Sequence, residues 1–216
     1  HCRPGDEILA HPSAHMNTRE GGAHAALGGF QITPLAGEDG MFSPQTLRAA
    51  IIPPNRYSAP QRVVTVEQTS NIGGGTVWKK SDLDEIVKIA RTNGLVTHMD
   101  GARLMNAVVA SGVSTKEFSE GWDSVWIDFS KGLGAPIGAV IAGSNEFIGE
   151  VWRWKQRLGG AMRQSGINAA ACIYTLDHHV ERLKDDHTNA RALARGLAQI
   201  PGIDVNQPQT NLVFFD

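Results

Sequence analysis

Asp128-Phe-Ser-Lys-Gly-Leu-Gly-Ala-Pro-Ile-Gly-Ala-Val140 is the stretch from which the rest of the chain can be read. A β-like run, Ser124 to Phe129, stops at Ser130-Lys131; a glycine-rich turn follows, and a second apolar run, Ile137 to Ala142, leaves it. One lysine therefore stands at the carboxyl end of a predicted strand, among residues too small to cover it. A lysine so placed can be desolvated, which lowers its pKa and makes the amine a nucleophile towards a carbonyl. The alternative is a surface lysine in a β-turn, since most lysines are solvated.

Outward from that turn the chain alternates. Further β-type runs lie at Ile32–Leu35, Val63–Glu67, Leu95–Met99 and Leu212–Phe215, with helical patterns between several of them. Ser43-Pro44 opens one helix, serine as N-cap and proline at the first helical position. Ser81-Asp-Leu-Asp opens another as a near capping box, and Leu83, Ile86, Val87 and Ala90 give it a single apolar stripe that Gly94 ends. After Gly143 three helical segments follow, Glu146–Arg157, Gln164–Leu183 and Asp186–Gln199, until Pro201-Gly202 breaks the pattern. Strand and helix in alternation predict an α/β fold, a mostly parallel sheet with helices on both faces. Ligands of such sheets bind at the carboxyl ends of the strands, so the polar residues just past each strand are the candidates.

Composition narrows the function classes. Of 216 residues 41% are apolar and 19% charged, with a net charge of -2, which suits a globular protein with a sizeable core. There is no basic stripe for nucleic acid and no polybasic cluster or spanning run for a membrane. The two cysteines, Cys2 and Cys172, form neither a disulfide framework nor a C-x-x-C site, so a reduced, cytoplasmic setting is the expectation.

Past Leu95–Met99 stands Asp100-Gly-Ala-Arg103, where small residues leave room for a ligand between opposite charges; the competing reading makes Asp100 the N-cap of the helix that carries Arg103. Past Val63–Glu67 comes Gln68-Thr-Ser-Asn71 and three glycines, suited to close approach of a ligand or to a plain loop. No phosphate-binding glycine motif of a nucleotide site occurs. His11 and His15 are four apart, but Pro12 and the missing third ligand argue against a metal, and none is expected. His178, His179 and His187 read as a solvated helix face. Lysine, aspartate and arginine at neighbouring strand ends have a chemical reading. Pyridoxal phosphate needs an amine for its aldehyde and a carboxylate beside its ring nitrogen, and an arginine fork suits an amino acid's carboxylate.

The motifs themselves carry a resemblance. His98-Met-Asp-Gly-Ala-Arg-Leu-Met-Asn-Ala107, Ser130-Lys-Gly-Leu-Gly-Ala-Pro-Ile-Gly138 and Gly159-Gly-Ala-Met-Arg-Gln164, in this order, resemble the threonine aldolase branch of the β-eliminating lyase group, pyridoxal-phosphate enzymes of aspartate-aminotransferase-like fold. Glu67-Gln-Thr-Ser-Asn-Ile-Gly-Gly-Gly75 is similar to that family's Glu-Asn-Thr-His-Asn element. The resemblance implies that Lys131 holds the cofactor as a Schiff base, Asp100 pairs with the pyridinium nitrogen, and His15 stacks on the ring. It implies that Arg103 binds the substrate carboxylate, Asn71 lines the pocket, and Arg163 reaches the cofactor phosphate across a subunit boundary in a dimer of dimers. The implied reaction is aldol cleavage of threonine or allo-threonine to glycine and an aldehyde, with His15, His98 or a water as base for the β-hydroxyl. Alternatives are a phenylserine-type aldolase, a β-eliminating lyase on another amino acid, or a non-catalytic fragment of such an enzyme.

This chain departs from the family pattern in places. Ser70 replaces the motif histidine, Ala161 a glycine, and Gln156 a lysine. Trp122, Trp126, Trp152 and Trp154 read as core and helix packing, or as bulk favouring another substrate. The family's Gly-Thr phosphate loop is expected upstream of residue 1. Residues 1–200 are expected to form the large domain, less its amino-terminal part, and 201–216 to begin a small domain continuing beyond the chain.

Overall fold

The computed structural model describes residues 1–216. Its centre is a six-stranded sheet of order β2-β1-β3-β4-β5-β6. The strands are β1 (Glu7–Ala10), β2 (Gln31–Pro34), β3 (Gln61–Glu67), β4 (Val96–Gly101), β5 (Ser124–Asp128) and β6 (Ala139–Gly143). All neighbours pair in parallel except β5 and β6, which are antiparallel. The expected mostly parallel α/β sheet is present. β1 was not among the expected strands, because four residues beginning with Glu7 give too little pattern, yet all four are buried. Leu212–Phe215, expected as a strand, pairs with nothing beyond an isolated bridge between Val205 and Phe215.

The helices are α1 (His15–Thr18), α2 (Pro44–Ala50), α3 (Lys80–Thr92), α4 (Leu104–Ser111), α5 (Thr115–Ser119), α6 (Asn145–Arg157), α7 (Gly166–His178) and α8 (Leu183–Leu197), with a π-turn at His24–Gly28. Ser43 caps α2 as read, its Oγ accepting the Thr46 N–H at 3.0 Å with Pro44 at the first position. At α3 the cap falls elsewhere. Lys79 is the extended residue before the helix, and Ser81 lies inside the first turn without a capping bond. Starting at Lys80 lets Lys80 pair with Asp84 one turn on while Leu83 is fully buried. The stripe Leu83, Ile86, Val87 and Ala90 is buried as its spacing predicts.

The main core fills one face of the sheet, where Leu9, Val64, Val66, Met99 and Val125 meet Leu47, Leu83, Ile86 and Phe118 from the helices. Period-two alternation sends Ile8, Ala10 and Val63 to the opposite face, into a smaller cluster with Ala14. Between β5 and β6 the chain makes the turn that carries Lys131, closed by Phe129 N–H to Gly138 O at 2.9 Å. Gly138 has φ +134°, and a Cβ there would sit 2.6 Å from Cys172 Sγ, so only glycine fits between this turn and α7. His187, expected on a solvated face, is 3% exposed: its Nε2 meets Asn106 Nδ2 at 3.1 Å and joins α8 to α4.

Candidate active site

Strand register brings the chemistry together. Glu67 of β3 lies opposite Asp100 of β4, and Asp100 opposite Trp126 of β5. Residues two apart share a face, so Trp126 and Asp128 point the same way, and Lys131 folds back over both. Its Nζ is 2.8 Å from Asp128 Oδ2 and 5.3 Å from the centre of the Trp126 ring. The amine is thus held in an ion pair with a third of its side chain open (33%), not wrapped in apolar surroundings as the desolvated reading expected. Asp128 is itself fixed by Ser130, whose N–H and Oγ both donate to Oδ1 at 2.8 and 2.7 Å. Burial opposes the charge on Asp128, but the hydrogen bonds from Lys131 and Ser130 outweigh it and lower its pKa.

Lys131, Asp100, Arg103, His15 and Asn71 all line one cavity of about 180 Å³, together with Glu20, Glu67, Thr69, Ala102 and Trp126. Five of the six residues singled out from the sequence therefore meet. Arg163 does not; it is exposed in the link between α6 and α7. Asp100 is not an N-cap, since the cap of α4 is Arg103 and Asp100 belongs to β4, where its Oδ1 accepts the Ala102 N–H at 3.0 Å. Burial raises the Asp100 pKa to about 6, and the neighbouring Glu67 charge adds to the rise. Arg103 is half-buried, which lowers its pKa against the pull of Asp100, Glu67 and Asp128, and its guanidinium forms no ion pair with any carboxylate of the chain.

His15 opens α1 and its Nδ1 meets Glu20 Oε1, which leaves Nε2 as the free ring nitrogen. His98 stands differently. Its Nδ1 bonds Ser124 Oγ at 2.8 Å, burial lowers its pKa to about 4, and it lines a neighbouring cavity of about 210 Å³ without Lys131. Ser70, in place of the motif histidine, is fully buried and accepts the Gly73 N–H at 3.2 Å. Gly40 packs on it so closely that a Cβ at Gly40 would overlap Ser70 Oγ, so position 40 must stay glycine beside this serine. His11, the other histidine of the early pair, turns away to Ser13 Oγ at 2.7 Å and Gly37 O at 3.2 Å.

Glu67, Glu20 and Thr69 were not singled out as site residues in the sequence, and Trp126 was read only as packing or as bulk favouring another substrate. Glu67 and Thr69 lie inside a quoted motif, which was the available signal. Trp126 follows from alternation along β5 once Asp128 is known to face the site. A larger groove, about 620 Å³, runs at the amino ends of the strands beside Pro53, Asn55 and Leu95; its arginines, Arg48 and Arg62, are already paired with Glu85 and Asp6. The cavity that Lys131 and Asp100 line lies at the other end.

The donor set of the smaller cavity fits pyridoxal phosphate: an amine for the aldehyde, a buried carboxyl for the ring nitrogen, an imidazole for a ring face and a free guanidinium for a carboxylate. The Thr69 hydroxyl, buried without a partner at this cavity, is a further polar group awaiting one.

Residues 1–216 match the model of the family described as Beta-eliminating lyase. The chain is 39% identical over 215 residues to the low specificity L-threonine aldolase of Escherichia coli K12, covering 99% of this chain and 63% of that protein. It is 36% identical over 222 residues to low-specificity L-threonine aldolase 1 of Arabidopsis thaliana, covering 100% of this chain and 62% of that protein. The chain thus spans a little under two thirds of these relatives. Its fold is shared with the solved threonine aldolase of Leishmania major, with a TM-score of 0.83 at 20% identity over 99% of this chain and 63% of that one. The chain belongs to the beta-eliminating lyase family.

Proposed function

We propose that the full-length protein is a pyridoxal-phosphate-dependent lyase that cleaves a β-hydroxy-α-amino acid, threonine or allo-threonine, to glycine and an aldehyde. The observation that carries this reading is the convergence of Lys131, Asp100, Arg103 and His15 on one cavity. When bound, the cofactor supplies an aldehyde for an amine and a protonated ring that accepts the electrons of the broken bond. Lys131 would hold it, and the paired Asp128 steadies that amine. Asp100, poised near pH 6 by burial, is suited to share a proton with a ring nitrogen. Arg103, free of internal partners, suits the substrate carboxylate, with Asn71 beside it. The β-hydroxyl proton would go to His15 Nε2 or a water it holds, since Glu20 occupies Nδ1. His98 is the weaker candidate because it lines the other cavity.

We assign Arg163 to the cofactor phosphate in a neighbouring copy, within a dimer of dimers. The exposed apolar residues around it, Leu158, Met162 and Ile167, support a partner there. Residues 1–200 would form most of the large domain and 201–216 the start of a small one. A cytoplasmic setting agrees with the two unpaired cysteines, Cys2 and Cys172. A second substrate reading, a phenylserine-type aldolase, is favoured by the Trp126 ring in the cavity wall, which offers an aromatic surface to an aryl substituent.

Full-length protein incubated with threonine and with phenylserine tests both. Glycine and acetaldehyde from threonine support the first reading, preferential release of benzaldehyde from phenylserine the second, and ammonia as main product overturns both. Lys131→Ala should abolish the visible absorbance band of the bound cofactor; a band that survives unchanged removes Lys131 from its role.

A further inference from the structure

Glu67 is the last residue of β3 and faces Asp100 across the parallel ladder. Its Oε1 accepts the backbone N–H of His15, and its Oε2 accepts the backbone N–H of Asn71 at 3.4 Å. One carboxylate therefore ties the turn that carries the histidine to the loop that carries the asparagine. Each segment has its own anchor, Ala14 in the smaller core cluster and the bridge between Ser70 and Thr76, but no other side-chain hydrogen bond joins the two. α1 is a single turn of four residues whose N-cap, Ala14, makes no side-chain cap. Asn71 leads into Ile72 and three successive glycines. A one-turn helix has little stability of its own, so the place of the His15 ring depends on where its first amide is held.

We propose that Glu67 is a positioning residue of this cavity, fixing the separation of its His15 and Asn71 walls while placing a negative charge beside Asp100. The proposal rests on the reading that Lys131 carries pyridoxal phosphate here. The charge has its own effect: after burial, Glu67 is the largest influence raising the Asp100 pKa. Glutamine at this position keeps the length but sets an amide N–H against one of the two backbone donors, so one tie is lost along with the charge. Aspartate keeps the charge but, one methylene shorter, reaches only one donor.

The test uses full-length protein reconstituted with pyridoxal phosphate, unaltered and as Glu67→Gln, Glu67→Asp, His15→Ala and the Glu67→Gln, His15→Ala double variant. Cofactor affinity is read by absorbance titration and ring orientation by visible circular dichroism, with the melting temperature of cofactor-free protein as a fold check. Glu67→Gln should weaken cofactor binding about tenfold, as loss of one charge-assisted hydrogen bond predicts, and change the dichroism of the bound cofactor. Glu67→Asp should lose less. In the His15→Ala background the Glu67→Gln loss should shrink to under about threefold, because the tie acts partly through that ring. An affinity within about twofold of the unaltered protein with unchanged dichroism, or an equal loss in both backgrounds, overturns the proposal. If Glu67→Gln does not fold, Glu67→Asp alone and with His15→Ala decides by the same criteria. Absence of a cofactor band in the unaltered protein is a separate failure, one that removes the cofactor reading and this proposal with it.

Discussion

Helices α3 and α6 are equally long and comparably amphipathic, yet they end in opposite situations. α3 lays Leu83, Ile86, Val87, Ile89 and Ala90 into the main core, whereas α6 buries no residue at all. The same holds for the elements around them. The parallel strands β1 and β3 are largely buried, while β6 is mostly open and α7 leaves Ile167 85% and Tyr174 57% exposed. Periodicity in a sequence thus specifies an apolar face but not whether the same chain covers it. The parallel half closes on itself; the β6, α6 and α7 side offers its apolar face outward.

The largest effect should come from the closed half. Leu83→Ala removes a fully buried side chain from the centre of the core and should cost about 2–5 kcal/mol in urea unfolding, as large-to-small core changes do. A cost below about 1 kcal/mol would mean that this half is as loosely covered as the other.

An intermediate effect concerns titration, because the closed half also buries ionisable groups. His98, its pKa lowered from 6.5 to about 4, binds fewer protons folded than unfolded, so stability falls as pH drops through that window. Asp100, raised from 3.8 to about 6, binds more protons folded, so its contribution rises as pH drops through nearly the same range. The two largely cancel between pH 4 and 6. Asp100→Asn should unmask His98, steepening the loss of stability on acidification by up to about 1.4 kcal/mol per pH unit in denaturation at pH 6.5, 5 and 4. An unchanged pH profile would show that the pair does not offset.

The smallest effect should come from the open side. Trp152 is 56% exposed and lies under the Lys155 ammonium, 4.9 Å from the ring centre, so neither Trp152 nor Trp154 is the core residue its size suggests. Trp152→Ala should change the stability of the isolated chain by no more than about 0.5 kcal/mol. A clearly larger cost in assembled full-length protein than in the isolated chain would show that a partner covers this face.

The strand ends and the main helices could be read from the sequence because their signals are local. Ser43 followed by Pro44, the α3 stripe and the end of β5 just before Ser130-Lys131 each follow from neighbouring residues. Site residues gathered at adjacent strand ends were legible for the same reason, with sheet order supplying the rest. Contacts between distant segments were not. His187 meets Asn106 across 81 residues, so nothing near either histidine or asparagine marks it as buried. The part played by Glu67 depends on two backbone N–H groups, and backbone amides carry no residue identity. Lys131 was legible as a special lysine but not as an ion-paired one. Asp128, three residues earlier, reads as a strand end until the turn folds the two together.

β6 has one further consequence. As the antiparallel rim of the sheet it turns an unpaired row of amides and carbonyls outward, whereas the opposite rim, β2, is four residues long and ends in Pro34, which has no N–H to give. Within residues 1–216 the side with the uncovered helices is thus also the side on which the hydrogen-bond ladder has a rim without proline.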